Sequence, residues 1–146
     1  MMTTFYSTNE HDSVEYIPKE YDTMVKRSQE IVKRIAGSEN QQVIILQTAD
    51  NKIHEAIVDW SSDAEAGEQT LLNVIGKSET VTWLICCWSN GEFDMPSYNF
   101  RMKLCELNPD NETAQMLLNG EKNFNLKSIK DTFPNANSPW LHSADI

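Results

Sequence analysis

The most constraining stretch is Val81-Thr82-Trp83-Leu84-Ile85-Cys86-Cys87-Trp88, which is apolar on both alternations of an extended chain. A strand written this way is covered on both faces, so it belongs in the middle of a layered sheet. Ser89-Asn90-Gly91 then makes a polar turn, and Phe93-Asp94-Met95-Pro96 leads into a segment where Phe100, Leu104 and Leu107 recur at helical spacing. Pro96 suits the first turn of that helix, since its missing N–H has no intrahelical partner there. Pro109 stops the run. A buried central strand thus delivers a loop into a helix N-terminus, a common place for a site.

The other elements follow from the same signals. Pro18 opens a first helix whose small and apolar face is Met24, Val25, Ser28, Ile31, Val32 and Ile35, with Gly37 as its stop. Val43 to Leu46 reads as a strand. Asp50-Asn51 turns it into a second strand, Ile53 to Trp60, paired as a hairpin. Ser61 or Ser62 caps a second helix running from Asp63 to about Ile75, which Gly76 ends. In the third strand, Thr80 to Trp88, Val81, Trp83, Ile85 and Cys87 face one way, and Leu84, Cys86 and Trp88 the other. The third helix spans Pro96 to Leu107. Residues around Thr113 to Leu118 and Phe124 to Leu126 form two more strands about the Asn119-Gly120 turn, and Ser128 to Phe133 a short last helix. Strands alternating with helices predict an α/β protein with a mixed five-stranded sheet and helices on both faces, the third and fourth strands being parallel. The domain is expected over residues 17–137, between a flexible N-terminal arm (1–16) and a C-terminal tail (138–146).

A chain of 146 residues with a formal charge of −10 lacks the basic footprint of a nucleic-acid binder. The segment Met1-Met2-Thr3-Thr4-Phe5 has neither the basic nor the apolar region of a signal peptide, and no run reaches membrane-spanning length. Cys86, Cys87 and Cys105 have no framework spacing and read as reduced thiols in a cytoplasmic protein. His54 beside Glu55 reads as a hydrogen-bonded structural histidine, and His11 and His142 have no metal-ligand spacing. Cys86 or Cys87 as a nucleophile would need a lowered pKa, and mid-strand burial favours a core role. Trp60, Trp83, Trp88 and Tyr98 are candidates for stacking a base or for packing.

Two short motifs in this frame resemble the cytidine deaminase superfamily. That family places Cys or His, Ala and Glu at the start of the second helix, and Pro-Cys-x-x-Cys at the start of the third. Here Asp63-Ala64-Glu65 opens the second helix and Pro96-Ser97-Tyr98-Asn99-Phe100-Arg101 the third. The similarity extends through Leu104, Glu106, the strand Gln115 to Leu118, Asn119-Gly120 and Leu126 to Phe133-Pro134-Asn135-Ala136, about Tyr21 to Asn137 in all. The resemblance implies a three-layer α-β-α fold, zinc-dependent deamination of nucleosides, and a homo-oligomer. It also assigns Glu65 as general acid/base, and Asp63, Ser97 and Phe100 to the three zinc-ligand positions. Trp60, Asp94, Pro96, Tyr98 and Arg101 would surround the pocket.

The substitutions change what that pocket can do. Serine is a poor zinc ligand and phenylalanine has no lone pair, so zinc is expected to be absent. Val58-Asp59-Trp60 replaces the family's Asn-x-Glu ribose contact. Two helix N-termini converging on one pocket favour an anion, whereas Asp63, Glu65 and Asp94 oppose one. The expectation is therefore a non-catalytic binding or regulatory protein for a nucleoside-like or other small ligand. The alternatives are a hydrolase or deaminase-type enzyme using Glu65 with altered or no metal, and an acidic protein-interaction module.

Overall fold

A computed structural model of the chain describes residues 17–120 and 123–134. The expected arm (1–16) and tail (138–146), the Met1–Phe5 segment, His11, His142 and the Asn135-Ala136 part of the terminal motif lie outside the described residues.

Helix α1 (Asp22–Ile35) follows a single 3-10 turn that begins after Pro18. Met24, Val25, Ser28, Ile31 and Ile35 are buried, the stripe expected from their spacing. Gly37, at φ 93°, lets the chain reverse into β1 (Gln41–Thr48). β1 pairs antiparallel with β2 (Ile53–Asp59) as a hairpin. Helix α2 (Ala64–Ile75) leads to β3 (Val81–Trp88), the two-residue β4 (Phe93–Asp94) and helix α3 (Tyr98–Leu107). β5 (Gln115–Asn119) and β6 (Phe124–Ser128) close the sheet, and a 3-10 turn at Lys130–Thr132 stands where a short last helix was expected. The strand order is β2-β1-β3-β5-β6, with β4 paired to β3. β3 and β5 are parallel and the other pairs antiparallel.

The sheet divides two cores. On one face Ile44, Leu46, Val58, Leu84, Cys86 and Met116 pack against Leu71, Leu72 and Ile75 of α2 and Phe100, Leu104 and Cys105 of α3. On the other, Val43, Ile45, Ile85, Cys87 and Leu117 meet Met24, Val25 and Ile31 of α1. This is the expected three-layer α-β-α arrangement, with β3 covered on both sides. Two buried polar groups tie the layers together. The Tyr21 hydroxyl donates to the Gln115 carbonyl at 2.8 Å, and burial pushes its pKa up. Asn111 accepts from Val81 N and donates to the Leu104 carbonyl, both at 2.8 Å, joining the start of β3 to α3.

Four local expectations are corrected. The sheet has six strands, because β4 adds a short antiparallel pair at Cys86–Asp94 and Cys87–Phe93. Val81 belongs with Leu84 and Cys86, not with Ile85 and Cys87. The register of β1 against β3 shifts between Gln47 and Thr48, and this irregularity turns the start of β3 over. Asp63, not Ser61 or Ser62, caps α2, its carboxylate accepting from Ala66 N at 3.2 Å. Pro96 lies before the cap of α3 rather than inside its first turn, and Ser97 is the capping residue.

Candidate functional site

The N-terminal ends of α2 and α3 approach each other on the sheet face that carries Ile44, Leu84 and Cys86. Helix α2 comes close because Gly67 has no side chain: a Cβ there would lie 2.4 Å from the Ile57 carbonyl oxygen of β2. One turn of close approach brings the next residue, Glu68, against the start of α3. Glu68 is only 4% exposed. The Ser97 hydroxyl donates to its Oε2 at 2.7 Å and, as the cap of α3, accepts from Phe100 N at 3.1 Å. Burial raises the Glu68 pKa, with the Glu65 charge adding to it, against the lowering effects of the Ser97 hydrogen bond and the Lys103 charge. A carboxyl group held this way sits closer to neutrality than one in water and can exchange a proton nearer physiological pH.

The residues singled out in the sequence fall into three groups. Ser97, Phe100, Pro96 and Arg101 are buried or half-buried around the start of α3. Phe100 is fully buried in the core shared by the sheet, α2 and α3. Arg101 is 8% exposed: its Nε donates to the Pro96 carbonyl at 2.9 Å, its Nη1 to Thr132 Oγ1, and its guanidinium lies 5.7 Å from the Tyr98 ring centre and 5.8 Å from that of Phe133. Desolvation pulls its pKa down from the ordinary value. It acts as the clamp between α3 and the last 3-10 turn.

Asp94, Trp60 and Tyr98 are more exposed. Asp94 accepts from the Trp88 indole at 3.1 Å and from Met95 N at 2.7 Å. The Trp60 indole donates to Gln42 Oε1 at 2.9 Å. Tyr98 packs edge-on against Phe133, ring centres 5.5 Å apart.

Asp63 and Glu65 form the third group, and neither reaches Ser97. Asp63 is exposed and occupied as a helix cap. The Glu65 side chain is 70% exposed and pairs with Lys103 at 3.6 Å. The carboxylate brought to Ser97 is Glu68, which the sequence reading passed over. The spacing contained the signal: Glu68, Leu71, Leu72 and Ile75 fall at i, i+3, i+4 and i+7, so Glu68 lies on the buried stripe of α2. His54 also finds a different partner, Glu79 at 3.3 Å, because Glu55 points to the other sheet face and pairs with Arg27. Cys86, Cys87 and Cys105 are free and buried, and burial raises all three thiol pKa values, to about 11 for Cys87 and about 12 for Cys105.

The fold matches solved structures. A cytidine deaminase from Mycobacterium leprae superposes with a TM-score of 0.58 at 17% identity, covering 81% of this chain and 100% of the other. The chain has a cytidine deaminase-like fold. A cytidine deaminase from Burkholderia pseudomallei gives a TM-score of 0.53 at 16% identity over 82% of this chain and 98% of its own. One from Bacillus anthracis gives 0.52 at 13% identity over 83% and 94%. No protein-family model and no curated protein matches the sequence.

The resemblance in the sequence assigns Asp63, Ser97 and Phe100 to three zinc-ligand positions. Ser97 offers a hydroxyl already bonded to Glu68, and Phe100 is a fully buried hydrocarbon side chain with no donor atom. Among the described residues no cluster of three histidine, cysteine or acidic side chains could hold a metal ion. Also among the described residues, no helix is long and apolar enough to cross a membrane.

Proposed function

We propose that this chain is a deaminase-fold protein that has exchanged zinc chemistry for ligand binding at the ends of α2 and α3. The supporting observation is the hydrogen bond from Ser97 to buried Glu68, beside a fully buried Phe100. In this reading the family's second-helix motif falls on Ala66-Gly67-Glu68, one turn beyond Asp63-Ala64-Glu65. The ligand positions then carry Ala66, Ser97 and Phe100. Alanine removes the last possible metal donor, so a water activated by zinc has no place in the chemistry. Gly67 then stands where the motif has alanine, and Ile57 leaves it no room for a Cβ.

The ligand we infer is small and nucleoside-like, recognised by the Glu68 carboxyl group and by the exposed rings of Tyr98 and Trp60. The chain is inferred to act in the cytoplasm as a homo-oligomer, without binding nucleic acid through a basic surface. The test combines metal content, deaminase assays and thermal shift. The protein should carry no stoichiometric zinc and should not deaminate cytidine, deoxycytidine or adenosine. At least one nucleoside or nucleotide from a panel should raise the melting temperature, and Glu68→Ala should remove that rise. Light scattering should give a multiple of the 16.7 kDa chain mass. Zinc-dependent turnover of cytidine would refute the proposal, and a panel without a single binder would favour the acidic interaction module instead.

A second reading has one observation in its favour. Burial raises the Glu68 pKa, which suits proton transfer. Turnover that survives chelation and is lost in Glu68→Gln, but not in Glu65→Gln, would establish metal-free acid–base catalysis.

A further inference from the structure

A cleft of about 450 Å³ opens on the opposite sheet face, between α1 and the β4–β5 end of the sheet. That volume lies in the range of roughly 300–1,000 Å³ typical of small-molecule sites. Its walls are mainly apolar, with Val25 and Val32 from α1 and Phe93 from β4. Among the described residues, the edge of the cleft carries one cationic group and two side-chain amides with N–H groups to offer. Lys33 makes no ion pair among the described residues, unlike Lys26 and Arg27 of the same helix, which pair with Asp22, Glu30 and Glu55. Gln29, one turn before Lys33, has no hydrogen-bond partner among the described residues. Asn119 uses its carbonyl oxygen to accept from Phe93 N, so its free end is the NH₂ group. The Ser28 hydroxyl is already committed to the Val25 carbonyl at 2.7 Å. No carboxylate is found among the described residues lining the cleft, in a chain of formal charge −10.

We infer that this cleft binds a small monocarboxylate with an apolar body, its hydrocarbon against Val25, Val32 and Phe93 and its anionic head at Lys33, Gln29 and Asn119. The lysine selects the sign of the ligand: its charge attracts an anion and repels an ammonium group, while the amide N–H groups of Gln29 and Asn119 add hydrogen bonds to the anion. Apolar burial supplies the affinity, and the lysine supplies the discrimination.

Titrating the full-length protein with decanoate, and with decylamine as the chain-matched cation, tests this by calorimetry and amide NMR. Decanoate should bind one-to-one and saturably, with shifts at Val25, Gln29, Val32, Phe93 and Asn119, while decylamine binds at least about tenfold more weakly. Lys33 is exposed, so Lys33→Glu should fold normally; it should weaken decanoate about tenfold, as expected for reversing one charge contact. Val32→Trp, at a half-buried position on the wall, should abolish binding by filling the cleft. Non-saturable uptake, equal affinity for the two amphiphiles, or decanoate binding unchanged in both variants would overturn the inference. So would a dimer that seals this face and leaves it unable to take decanoate.

Discussion

Replacing Ala66, Ser97 and Phe100 together by cysteine tests whether the ends of α2 and α3 retain deaminase geometry, and in which register. Zinc with three thiolates needs Zn–S distances of about 2.3 Å and tetrahedral convergence, so chance placement fails. Phe100 is fully exposed to core packing and fully hidden from solvent, and truncating a buried Phe costs about 3–5 kcal/mol. Losing the Ser97 hydrogen bond to a charged acceptor costs about 1.5–3 kcal/mol more, and the α3 cap about 1 kcal/mol. The sum is comparable with the whole stability of a domain, about 5–15 kcal/mol, so the metal-free variant should be marginal. Structural zinc sites return apparent binding energies of about 10–16 kcal/mol, enough to restore the fold. The expected result is one zinc per chain, a steep zinc-dependent gain in melting temperature, and a thiolate-to-cobalt charge-transfer band when Co²⁺ replaces zinc. The comparison variant carries Asp63→Cys, Ser97→Cys and Phe100→Cys, and should bind no stoichiometric metal, because position 63 is an exposed cap. If the comparison variant binds and the Ala66 variant does not, Asp63-Ala64-Glu65 is the true motif and the role given to Glu68 falls. If both fold with added metal absent and neither binds, the two helix ends do not converge.

Two further outcomes follow from Glu68 and Gly67. The folded-state pKa of Glu68 is raised, so the native protein holds its proton more tightly than the unfolded chain, and stability falls as pH climbs from the unfolded pKa through the folded one. Glu68→Gln should therefore gain melting temperature relative to wild type at pH 7–8 and lose that advantage below about pH 4, near the ordinary glutamate pKa; an equal difference at both pH values would show that Glu68 is not the titrating group. Ala in place of a helical Gly ordinarily stabilises by about 0.5–1 kcal/mol, but at Gly67 the new Cβ would lie 2.4 Å from the Ile57 oxygen. Overpacking of this kind costs about 1–3 kcal/mol, so Gly67→Ala should lower the melting temperature, and a neutral or raised value would refute the close approach of α2 to β2.

The layers were legible in the sequence because their signals are local. The two apolar alternations of β3, the stripe of α1 and the Asp50-Asn51 turn each report on residues within a few positions. β4 was not legible, since two residues carry no periodicity and exist as a strand only through Cys86 and Cys87. The side occupied by Val81 was not legible either, because Thr82 is left over where β3 pairs with Gln47 and Thr48 of β1, and that pairing exists only in the folded sheet.

The site shows the same division more sharply. The start of α3 was legible to within two residues because Pro96 announces it. On α2 the sequence reading took Ala64-Glu65, and Gly67-Glu68, also a small residue followed by glutamate, lies one turn further on. Helical periodicity alone places Glu65 and Glu68 on neighbouring lines of the same face. What separates them is their contact with α3: Glu65 stays exposed and pairs with Lys103, whereas Glu68 is buried and meets Ser97. A buried carboxylate needs a partner, and Ser97 is small enough to cap α3 and still donate to it. The serine therefore answers two demands, one local and one from another helix, and the second is invisible until α2 and α3 are set side by side.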